Sequence, residues 1–558
     1  MFTVALILAA ALPVPGRSIV VSQQGVAASS QPLAAQVAAH VMERGGNAID
    51  AAIAANATQG LLEPTSNGIG GDLFAIIYIA KEDKLYGLNA SGWSPAGMTL
   101  DFLKSKGVEG ELPLRGVYTV TVPGTVSGWA AMHDKFARLP LAADLAPAIW
   151  YAEHGFPLME VTAGLWSRSL KLLSESPESI ATWLVSSDGQ PARTPHAGEV
   201  FKNPNLAKSL KLIAERGRDG FYKGPAAQSV VDVIREQGGV MTMEDLAQFK
   251  PEWVTPIQTN YRGWTVSELP PNGQGIAALE MLNMMEQFPL AEYGFHTVKS
   301  LHAMIEVKKL AYADLLQYIG DPKFSKQPVT QLLSKTLAAE RAKLVDQTKA
   351  NCNEAPSKLA GMGSDTIYMS IVDGDGNIIS LIQSNYAGFG SGLTPKGAGF
   401  MLQNRGNLFS LKPGQPNTIE GHKRPLHTII PAFMQKGDTR IGFGIMGGWN
   451  QAQAHAQFVA DVVDYGMTIQ QALEAGRFTK TSFDGCDIEI ETSVPQDVRD
   501  QLTSMGHKLD VKPLRTSNFG YGQAVIYDRK TGVKFGASDP RHDGEAVPVT
   551  APYFDKSR

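Results

Sequence analysis

The stretch GSDTIYMSIVDGDG at residues 363–376 constrains the fold of this chain more than any other segment. Ile367, Met369 and Ile371 alternate with Tyr368 and Ser370, and this period of two is typical of a β-strand. The DGDG run is strong turn chemistry, and the apolar run 377–384 predicts the second strand of a hairpin. Thr366 therefore opens the first strand, directly after a polar loop. Because threonine suits a pleated strand, its position alone does not indicate chemistry.

Helix and strand signals are clearest in the first part of the chain. Pro32–Arg44 predicts a helix that ends at two glycines, and Asn47 is placed to cap a second, alanine-rich helix. Asp72–Ala80 is too continuously apolar to face water and predicts the first strand of a buried hairpin. The sequence TMED at 242–245 predicts a capping box. Helix therefore follows helix here, and strand follows strand.

Composition excludes some classes of protein. The 558 residues include 50 Lys and Arg against 54 Asp and Glu, a net charge of −4, which does not predict a nucleic-acid footprint. The length is compatible with two to four domains or with one large α/β unit. No apolar run of about twenty residues occurs in the sequence, so no membrane-spanning helix is predicted.

Cysteine and histidine usage bears on disulfides and metals. Cys352 and Cys486 are the two cysteines, too few for a disulfide framework, and we expect two free thiols. The eleven histidines show no HExxH, HxH or CxxC spacing, so we expect no metal site and no other cofactor.

The first residues carry an ambiguous targeting signal. An apolar run from Val4 to Leu12 is followed by Pro13 and Pro15, as in a secretory signal, but no Lys or Arg precedes it. We predict a signal peptide over residues 1–17 and a periplasmic or secreted protein. A buried first strand, or a translation start further downstream in a cytoplasmic protein, is the alternative.

Eight short motifs occur in order along the chain: ERGGNAIDAAIAAN (43–56), NGIGGDLF (67–74), TVPGTVSGW (121–129), DTIYMSIVDGDGN (365–377), FGSG (389–392), KRPLHTIIP (423–431), GIMGGWNQ (444–451) and GASDPR (536–541). Together they resemble the γ-glutamyltransferases (glutathione hydrolases) of the N-terminal-nucleophile class, over nearly the whole chain after about residue 20. The resemblance implies an α+β fold, the four-layer αββα sandwich. GIGGD alone resembles a phosphate-binding loop, but it follows a helix and precedes a strand, the reverse of the dinucleotide context.

The resemblance implies that the chain cleaves itself at the Asp365–Thr366 bond. A large fragment, residues 18–365, and a small fragment, residues 366–558, would then form one body. Thr366 would be the nucleophile, and its new α-amine, with a pKa of about 7.7–8.0, would be the general base. The expected partners are a small amide substrate and the other fragment, without nucleic acid.

Other positions match the family's catalytic groups. Gly447 and Gly448 align with its oxyanion donors, and glycine lets a backbone N–H approach a ligand closely. Ser384 aligns with a hydroxyl that positions the nucleophile. Thr428 aligns with a substrate-side hydroxyl, whereas His427 replaces another one.

The departures from the family concern the substrate. Ser91 stands where an arginine grips the donor α-carboxylate, and Leu408, after Asn407, stands where an acidic residue binds the α-amine. The segment 409–423 is short, so the family's lid loop is predicted to be absent.

The segments IQSNYAGFGSG and NRGNLF resemble the acylase and amidohydrolase branch, with Tyr386 and Asn404 as expected substrate contacts. Arg405 is the expected carboxylate anchor, since its fork fits a carboxylate; a solvated loop arginine is the alternative.

Three functions remain open at this point. The first is acyl transfer from a γ-glutamyl or related carboxylate-bearing amide, such as a glutathione-like donor. The second is an acylase or amidohydrolase of glutaryl-type or oxalyl-type amides that does not use γ-glutamyl donors. The third is an uncleaved, inactive homologue that acts as a binding protein.

Overall fold

The computed structural model describes residues 16–186, 190–353, 365–514 and 516–551. The predicted signal peptide lies almost entirely outside the described residues, as do residues 354–364 of the loop before Thr366.

In the described part of the chain the strands are β1 (Val20–Ser22), β2 (Val26–Ser29), β3 (Asp72–Ile79), β4 (Lys84–Ala90), β5 (Phe156–Pro157), β6 (Val200–Phe201), β7 (Glu252–Val254), β8 (Ile257–Tyr261), β9 (Trp264–Glu268), β10 (Asp365–Val372), β11 (Ile378–Tyr386), β12 (Ala432–Lys436), β13 (Thr439–Ile445), β14 (Phe478–Thr479), β15 (Asp487–Glu491), β16 (Lys508–Lys512), β17 (Gly522–Asp528), β18 (Lys534–Ser538) and β19 (Glu545–Pro548).

In the same residues the α-helices are α1 (Pro32–Glu43), α2 (Ala48–Leu62), α3 (Leu100–Ser105), α4 (Thr125–Phe136), α5 (Leu141–His154), α6 (Glu160–Ser167), α7 (Leu170–Leu173), α8 (Pro177–Trp183), α9 (Pro204–Arg216), α10 (Arg218–Tyr222), α11 (Pro225–Glu236), α12 (Met243–Gln248), α13 (Gly275–Met285), α14 (Leu290–Tyr293), α15 (Val298–Tyr318), α16 (Val329–Leu332), α17 (Lys335–Ala342), α18 (Gln451–Val463), α19 (Ile469–Glu474) and α20 (Gln496–Ser504).

Two seven-stranded antiparallel sheets form the centre of the molecule. Sheet I has the order β19-β2-β10-β11-β3-β4-β7, and sheet II has the order β1-β18-β17-β13-β12-β9-β8. Helices α1 and α2 pack on the outer face of sheet I, while α13, α15 and α18 pack on the outer face of sheet II. The predicted four-layer αββα sandwich is therefore confirmed.

The alternation of side chains along β10 divides two cores. Ile367, Met369 and Ile371 belong to the core between sheet I and its helices. Tyr368 and Val372 belong to the smaller core between the two sheets. Because side chains alternate across a strand, residues of even number on β10 face sheet II. This places the side chain of Thr366 in the space between the sheets.

The local predictions near the N-terminus are confirmed. The Asn47 side chain accepts hydrogen bonds from Ile49 N and Asp50 N and forms a capping box at the start of α2. Thr242 forms the predicted capping box with Asp245 at α12. The second hairpin strand, β11, continues two residues beyond its predicted end.

Each sheet combines strands from both predicted fragments. In sheet I, β10 lies between β2, which precedes the predicted cleavage point, and β11, which follows it. In sheet II, β12 pairs with β9 and β18 pairs with β1 across the same division. The predicted fragments are therefore interlocked, and neither contains a complete sheet.

The prediction of two free thiols is wrong. Cys352 and Cys486 form a disulfide with an S–S distance of 2.01 Å. The pairing was not predictable, because the cysteines are 134 positions apart and no local pattern indicates which distant segments meet. The helices of the described residues include none that is both long and apolar enough to cross a membrane.

Candidate active site

Thr366 and Ser384 lie opposite each other at a β-bulge. The ladder pairs Asp365 with Tyr386 but Ile367 with Gln383, so one residue of β10 stands against two residues of β11. Bulges re-aim side chains and are common beside active sites. Here the Thr366 Oγ1 donates a hydrogen bond of 3.1 Å to Ser384 Oγ, and both side chains are buried. The predicted nucleophile and its predicted positioning hydroxyl are therefore in contact.

Tyr386 fixes the other side of the Ser384 hydroxyl. The Tyr386 backbone N donates to Ser384 Oγ at 2.8 Å. Tyr386 has φ of 77°, in the left-handed region that bulky residues rarely adopt. Such strained residues cluster at functional sites, where the surrounding structure holds them. The end of β11 is therefore held in an unfavourable conformation directly opposite the Asp365–Thr366 bond.

The predicted oxyanion glycines lie at the same end of the facing sheet. A Cβ added at Gly442 would approach Ser370, and one added at Gly444 would approach the ring of Tyr368. Each step of two residues forward along β13 therefore corresponds to a step of two residues back along β10. The turn after β13, which contains Gly447 and Gly448, accordingly lies at the Thr366 end of β10.

The conformation of the glycine turn suits an anion. Gly447 has φ of 121° and Gly448 has φ of 57°, values that favour glycine. The turn leads through a 3₁₀ segment, Gly448–Asn450, into α18. The positive end of the α18 dipole therefore lies at these backbone N–H groups, where it stabilises negative charge.

Gln274 joins the glycine turn to the opposite wall of the site. Its buried side-chain Nε2 donates to Thr428 O at 2.5 Å and to Gly448 O at 2.7 Å. The Tyr312 hydroxyl lies 3.2 Å from Gln274 Oε1 and 2.5 Å from Trp449 O and shares its single proton between these acceptors. This network fixes both carbonyls, and with them the backbone on either side of the predicted oxyanion position.

Arg405 is fully buried and incompletely paired. Its Nη1 donates to Thr428 Oγ1 at 2.5 Å, and its guanidinium carbon lies 4.6 Å from the centroid of the Tyr386 ring. Its Nε and Nη2 have no hydrogen-bond partner among the described residues. Burial lowers the pKa of Arg405 to about 10, partly opposed by the charge of Asp72, so the group stays cationic at neutral pH. A buried guanidinium with two unused donors is suited to a carboxylate.

Asp72 and His427 form a buried pair behind Arg405. His427 Nε2 lies 3.0 Å from Asp72 Oδ2, and Ile429 N donates to His427 Nδ1 at 3.3 Å. Burial and then the charge of Arg405 hold the pKa of His427 well below its usual value, so the imidazole is neutral. Burial raises the pKa of Asp72 to about 7, against the opposing effect of Arg405. His427 therefore donates from Nε2 and is held by its protein partners.

Two of the predicted substrate contacts bond to neighbouring protein groups. Ser91 Oγ donates to Asn89 Oδ1 at 2.7 Å and accepts from Asn272 Nδ2 at 3.2 Å. Asn404 accepts from Ala387 N at 3.0 Å and donates to Leu114 O at 2.6 Å. Of the predicted substrate contacts, Tyr386 lines the cavity described next, whereas Ser91, Asn404, Arg405, His427 and Thr428 do not.

A cavity of about 190 Å³ lies beside Tyr386 and the glycine turn. Leu408 and Trp449 line it, so the position that is acidic in the resembled family is here part of an apolar wall. Charged and polar side chains, including Glu111, Lys412 and Asn407, also contribute to the lining. The remaining large apolar side chains of the wall are Leu112, Leu114, Leu316, Phe409, Leu411 and Leu426.

Sequence reasoning missed Gln274 and Asp72 as parts of this site. Asp72 is the last residue of the GIGGD motif, which was compared with a phosphate-binding loop on account of its glycines. In the structure Asp72 on β3 pairs with Ser384 on β11, and this pairing brings Asp72 to the site. Gln274, in the segment PPNGQG, carries no pattern that indicates its bonds to residues more than 150 positions away.

In the described residues one buried group of metal-ligating side chains lies outside this site: His302, Glu306 and His507. The Lys309 ammonium donates to Glu306 Oε1 at 2.7 Å, and His302 Nδ1 lies 2.8 Å from His507 Nε2. These contacts use His302 Nδ1, His507 Nε2 and Glu306 Oε1, whereas His507 Nδ1 has no hydrogen-bond partner among the described residues, and the lysine charge opposes a cation. The group is therefore explained by its internal hydrogen bonds.

Comparison with known proteins extends these observations. The glutathione hydrolase-like YwrD proenzyme of Bacillus subtilis is 34% identical over 96% of this chain and 100% of its own length. The oxamate amidohydrolase proenzyme of Klebsiella pneumoniae is 31% identical over 94% of this chain and 99% of its own. The crystal structure of cephalosporin acylase from Bacillus halodurans superposes with a TM-score of 0.89 at 41% identity, covering 97% of this chain and 99% of that one.

The profile that describes gamma-glutamyltranspeptidases matches residues 34–549. The match includes every strand of the two sheets except β1 and β2, together with the bulge at Thr366 and the glycine turn, and it agrees with the resemblance found in the eight motifs. The chain thus belongs to the gamma-glutamyltranspeptidase family.

Proposed function

We propose that this chain cleaves itself at the Asp365–Thr366 bond and then acts as an N-terminal threonine amidohydrolase. Its acyl donor would be an amide whose acyl group carries a carboxylate, either a γ-glutamyl group or a related one; within this class we favour an acyl group that lacks an α-amine. The observation that carries the proposal is the contact of Thr366 Oγ1 with Ser384 Oγ at the bulge, opposite the glycine turn.

Cleavage begins with attack of the Thr366 oxygen on the carbonyl carbon of Asp365. Ser384 would relay the hydroxyl proton towards the amide nitrogen of Thr366, because the Thr366 hydroxyl donates a hydrogen bond to Ser384 Oγ. The C–N bond breaks, the nitrogen takes a proton and becomes the α-amine of Thr366, and an ester joins the two fragments. Water then hydrolyses the ester, which leaves a carboxylate on Asp365 and a free hydroxyl on Thr366.

The same oxygen then attacks the substrate amide, with the new α-amine as general base. The oxyanion of the tetrahedral intermediate would lie at the backbone N–H groups of Gly447 and Gly448. Removing one such donor costs roughly 3–4 kcal/mol of transition-state stabilisation in related chemistry. The amine leaves with a proton, and water or a second amine takes the acyl group from Thr366.

The proposed donor class follows from the charges near Thr366. Arg405 offers two unused donors to a carboxylate, whereas Leu408 offers nothing to an ammonium group. An unpaired charge that loses its water costs several kcal/mol, so a donor whose α-ammonium group lies against Leu408 is disfavoured. Glu111 also lines the cavity, but it is exposed to solvent and so offers a weaker partner than a buried acid. A γ-glutamyl donor, as the names of several relatives suggest, is the second candidate; the family membership favours it.

The protein is further proposed to be periplasmic or secreted. The Cys352–Cys486 disulfide supports this location, because disulfides persist in oxidising compartments. Cell fractionation of the native host tests it.

The mass of the purified chain tests the proposal directly. Under denaturing and reducing conditions we expect two fragments, the smaller of which begins Thr-Ile-Tyr-Met on N-terminal sequencing. A single uncleaved chain of 60.0 kDa would support the alternative of an inactive binding protein. A fragment that begins elsewhere would remove Thr366 from the role of nucleophile.

A further inference from the structure

The disulfide closes a loop of the chain that contains the predicted cleavage point. Cys352 and Cys486 are 134 positions apart, and the Asp365–Thr366 bond lies between them. Cutting that bond would leave Cys352 in the large fragment and Cys486 in the small one. A bridge that is internal to the precursor would then join two separate chains.

We propose that Cys352 and Cys486 covalently cross-link the two fragments of the mature protein. This inference rests on the proposed self-cleavage. The cleaved protein stays one covalent molecule until a reductant opens the bridge, although its peptide bond is broken.

Hydrogen bonds dock the Cys352 segment independently of the bridge. Ala350 N donates to Met505 O at 2.8 Å, and Asn351 N donates to Glu306 Oε2 at 3.2 Å. Lys309 Nζ donates to Asn351 O at 2.8 Å. The backbone just before Cys352 is therefore held against α15 and against the turn between α20 and β16. Folding of the precursor brings the two sulfur atoms together before any cut is made.

The surroundings of the two cysteines suit thiol oxidation. Cys486 is buried, and Lys309 Nζ lies 3.6 Å from its sulfur, whereas Cys352 is exposed. A nearby ammonium group favours the thiolate, which is the form that attacks a disulfide. In total the two thiols lose two protons and two electrons. The electrons pass to a disulfide oxidant, such as a protein disulfide or glutathione disulfide, which becomes two thiols.

The cross-link is structural and lies apart from the chemistry of Thr366. Strands from both predicted fragments pair in both sheets, so the fragments stay associated when the bridge is open. We therefore expect Cys352→Ser to retain the wild-type turnover, within about twofold, and to lose only the covalent link. Cys352 is the suitable position to change, because its side chain is exposed and a serine there leaves the core intact.

Denaturing electrophoresis with and without reductant tests the cross-link. Purified wild-type protein is denatured in N-ethylmaleimide, which blocks free thiols and prevents exchange. We expect one species near the mass of the full chain without reductant and two fragments with it. The Cys352→Ser variant is expected to give two fragments in both lanes.

The two lanes separate failure of the inference from failure of the proposed function. Two wild-type fragments in both lanes would overturn the cross-link and leave self-cleavage intact. One species in both lanes would contradict self-cleavage and, with it, a link between fragments. Mass spectrometry of a non-reduced digest provides a second measurement, since the linked peptides must contain Cys352 and Cys486 and must separate on reduction.

Discussion

The guanidinium of Arg405 lies over the ring of Tyr386, 4.6 Å from its centroid, and this contact aims a buried cation at the strand that carries Ser384. Tyr386 lines the cavity, and its backbone holds the Ser384 hydroxyl. The ring therefore connects the predicted carboxylate anchor with the predicted nucleophile. If both predicted roles hold, Tyr386 contributes to substrate binding and to positioning of the nucleophile.

We expect Arg405→Ala to lower kcat/KM for a glutaryl anilide by about 10–100-fold, or about 1.5–3 kcal/mol, because a charge-assisted contact is lost. Steady-state kinetics on the glutaryl anilide and on a pentanoyl anilide, which lacks the carboxylate, provide the measurement and its control. Arg405→Gln, which keeps a donor for Thr428, is the matched variant. An equal loss on both anilides would show that Arg405 supports the fold of the site and does not bind the carboxylate.

Thr366→Ala is expected to abolish both self-cleavage and amide hydrolysis, because the attacking oxygen is gone. Thr366→Ser is expected to retain part of each, since it loses only the methyl group that restricts χ1. Electrophoresis under reducing conditions and an anilide assay measure the two properties separately. Turnover by the alanine variant at the wild-type rate would transfer the nucleophile role to another group.

Leu408→Asp is expected to raise the ratio of γ-glutamyl to glutaryl kcat/KM by at least tenfold. The new carboxylate would stand in the cavity wall, where it can pair with the α-ammonium group of the donor. Leu408→Asn, similar in size and uncharged, is the control and should change the ratio far less. If wild-type protein already prefers the γ-glutamyl anilide by tenfold, then other residues bind the ammonium group and the proposed donor class is wrong.

Gln274→Met is expected to lower kcat by about tenfold or more with a smaller change in KM. The substitution leaves the Thr428 and Gly448 carbonyls without their shared donor and loosens the glycine turn. Gln457→Met is the matched control, because Gln457 is also a buried glutamine with hydrogen bonds to backbone, to Gln453 O and Phe478 O. Both variants should lose stability. A similar fall in kcat for the two would mean that Gln274 has no special role in positioning the turn.

Asp144 is expected to make the protein less stable as pH rises. Both carboxylate oxygens are buried without a hydrogen-bond partner among the described residues, and burial together with the charge of Asp50 raises the pKa of Asp144 to about 8. Because the pKa is higher in the folded than in the unfolded state, stability is greatest below the unfolded-state pKa of about 3.9. It then falls as pH rises towards 8.

Asp144→Asn removes this titration. Relative to wild type, the free energy of unfolding of the variant should therefore rise by up to about 1.4 kcal/mol per pH unit between pH 5 and 8. Urea unfolding at pH 5, 7 and 9 measures the difference. Asp232→Asn, at an exposed position of α11, is the control and should follow the wild type. A constant difference between Asp144→Asn and wild type at all three values would contradict the expectation.

Sequence reasoning succeeded where neighbours along the chain decide the structure. The Asn47 cap, the glycine stop after α1 and the alternation along β10 depend on a few adjacent residues, and each was predicted. The family motifs indicated Thr366 and the glycine turn, and the structure brings the two segments to the same end of the facing sheets. The boundary of β11 was missed, since a bulge extends it beyond the end of its regular alternation.

Contacts between distant segments were not predictable in the same way. Gln274 reaches Gly448 across the site, and Asp72 at the start of β3 reaches His427, but the sequence around neither residue indicates these partners. The prediction of two free thiols at Cys352 and Cys486 was wrong for the same reason. Such contacts depend on the register and stacking of two sheets, which periodicity along one segment does not report.

The interlocked strands require that the chain folds before the proposed cleavage takes place. Because β10 pairs on one side with β2 and on the other with β11, the cut at Thr366 opens the chain in the interior of sheet I. Fragments synthesised separately would each expose unpaired strand edges, which favour aggregation. The uncut chain is therefore the unit that folds, and the mature enzyme is reached only through it. Once denatured and separated, the two fragments have lost the continuous chain that guided their assembly, so maturation works in one direction.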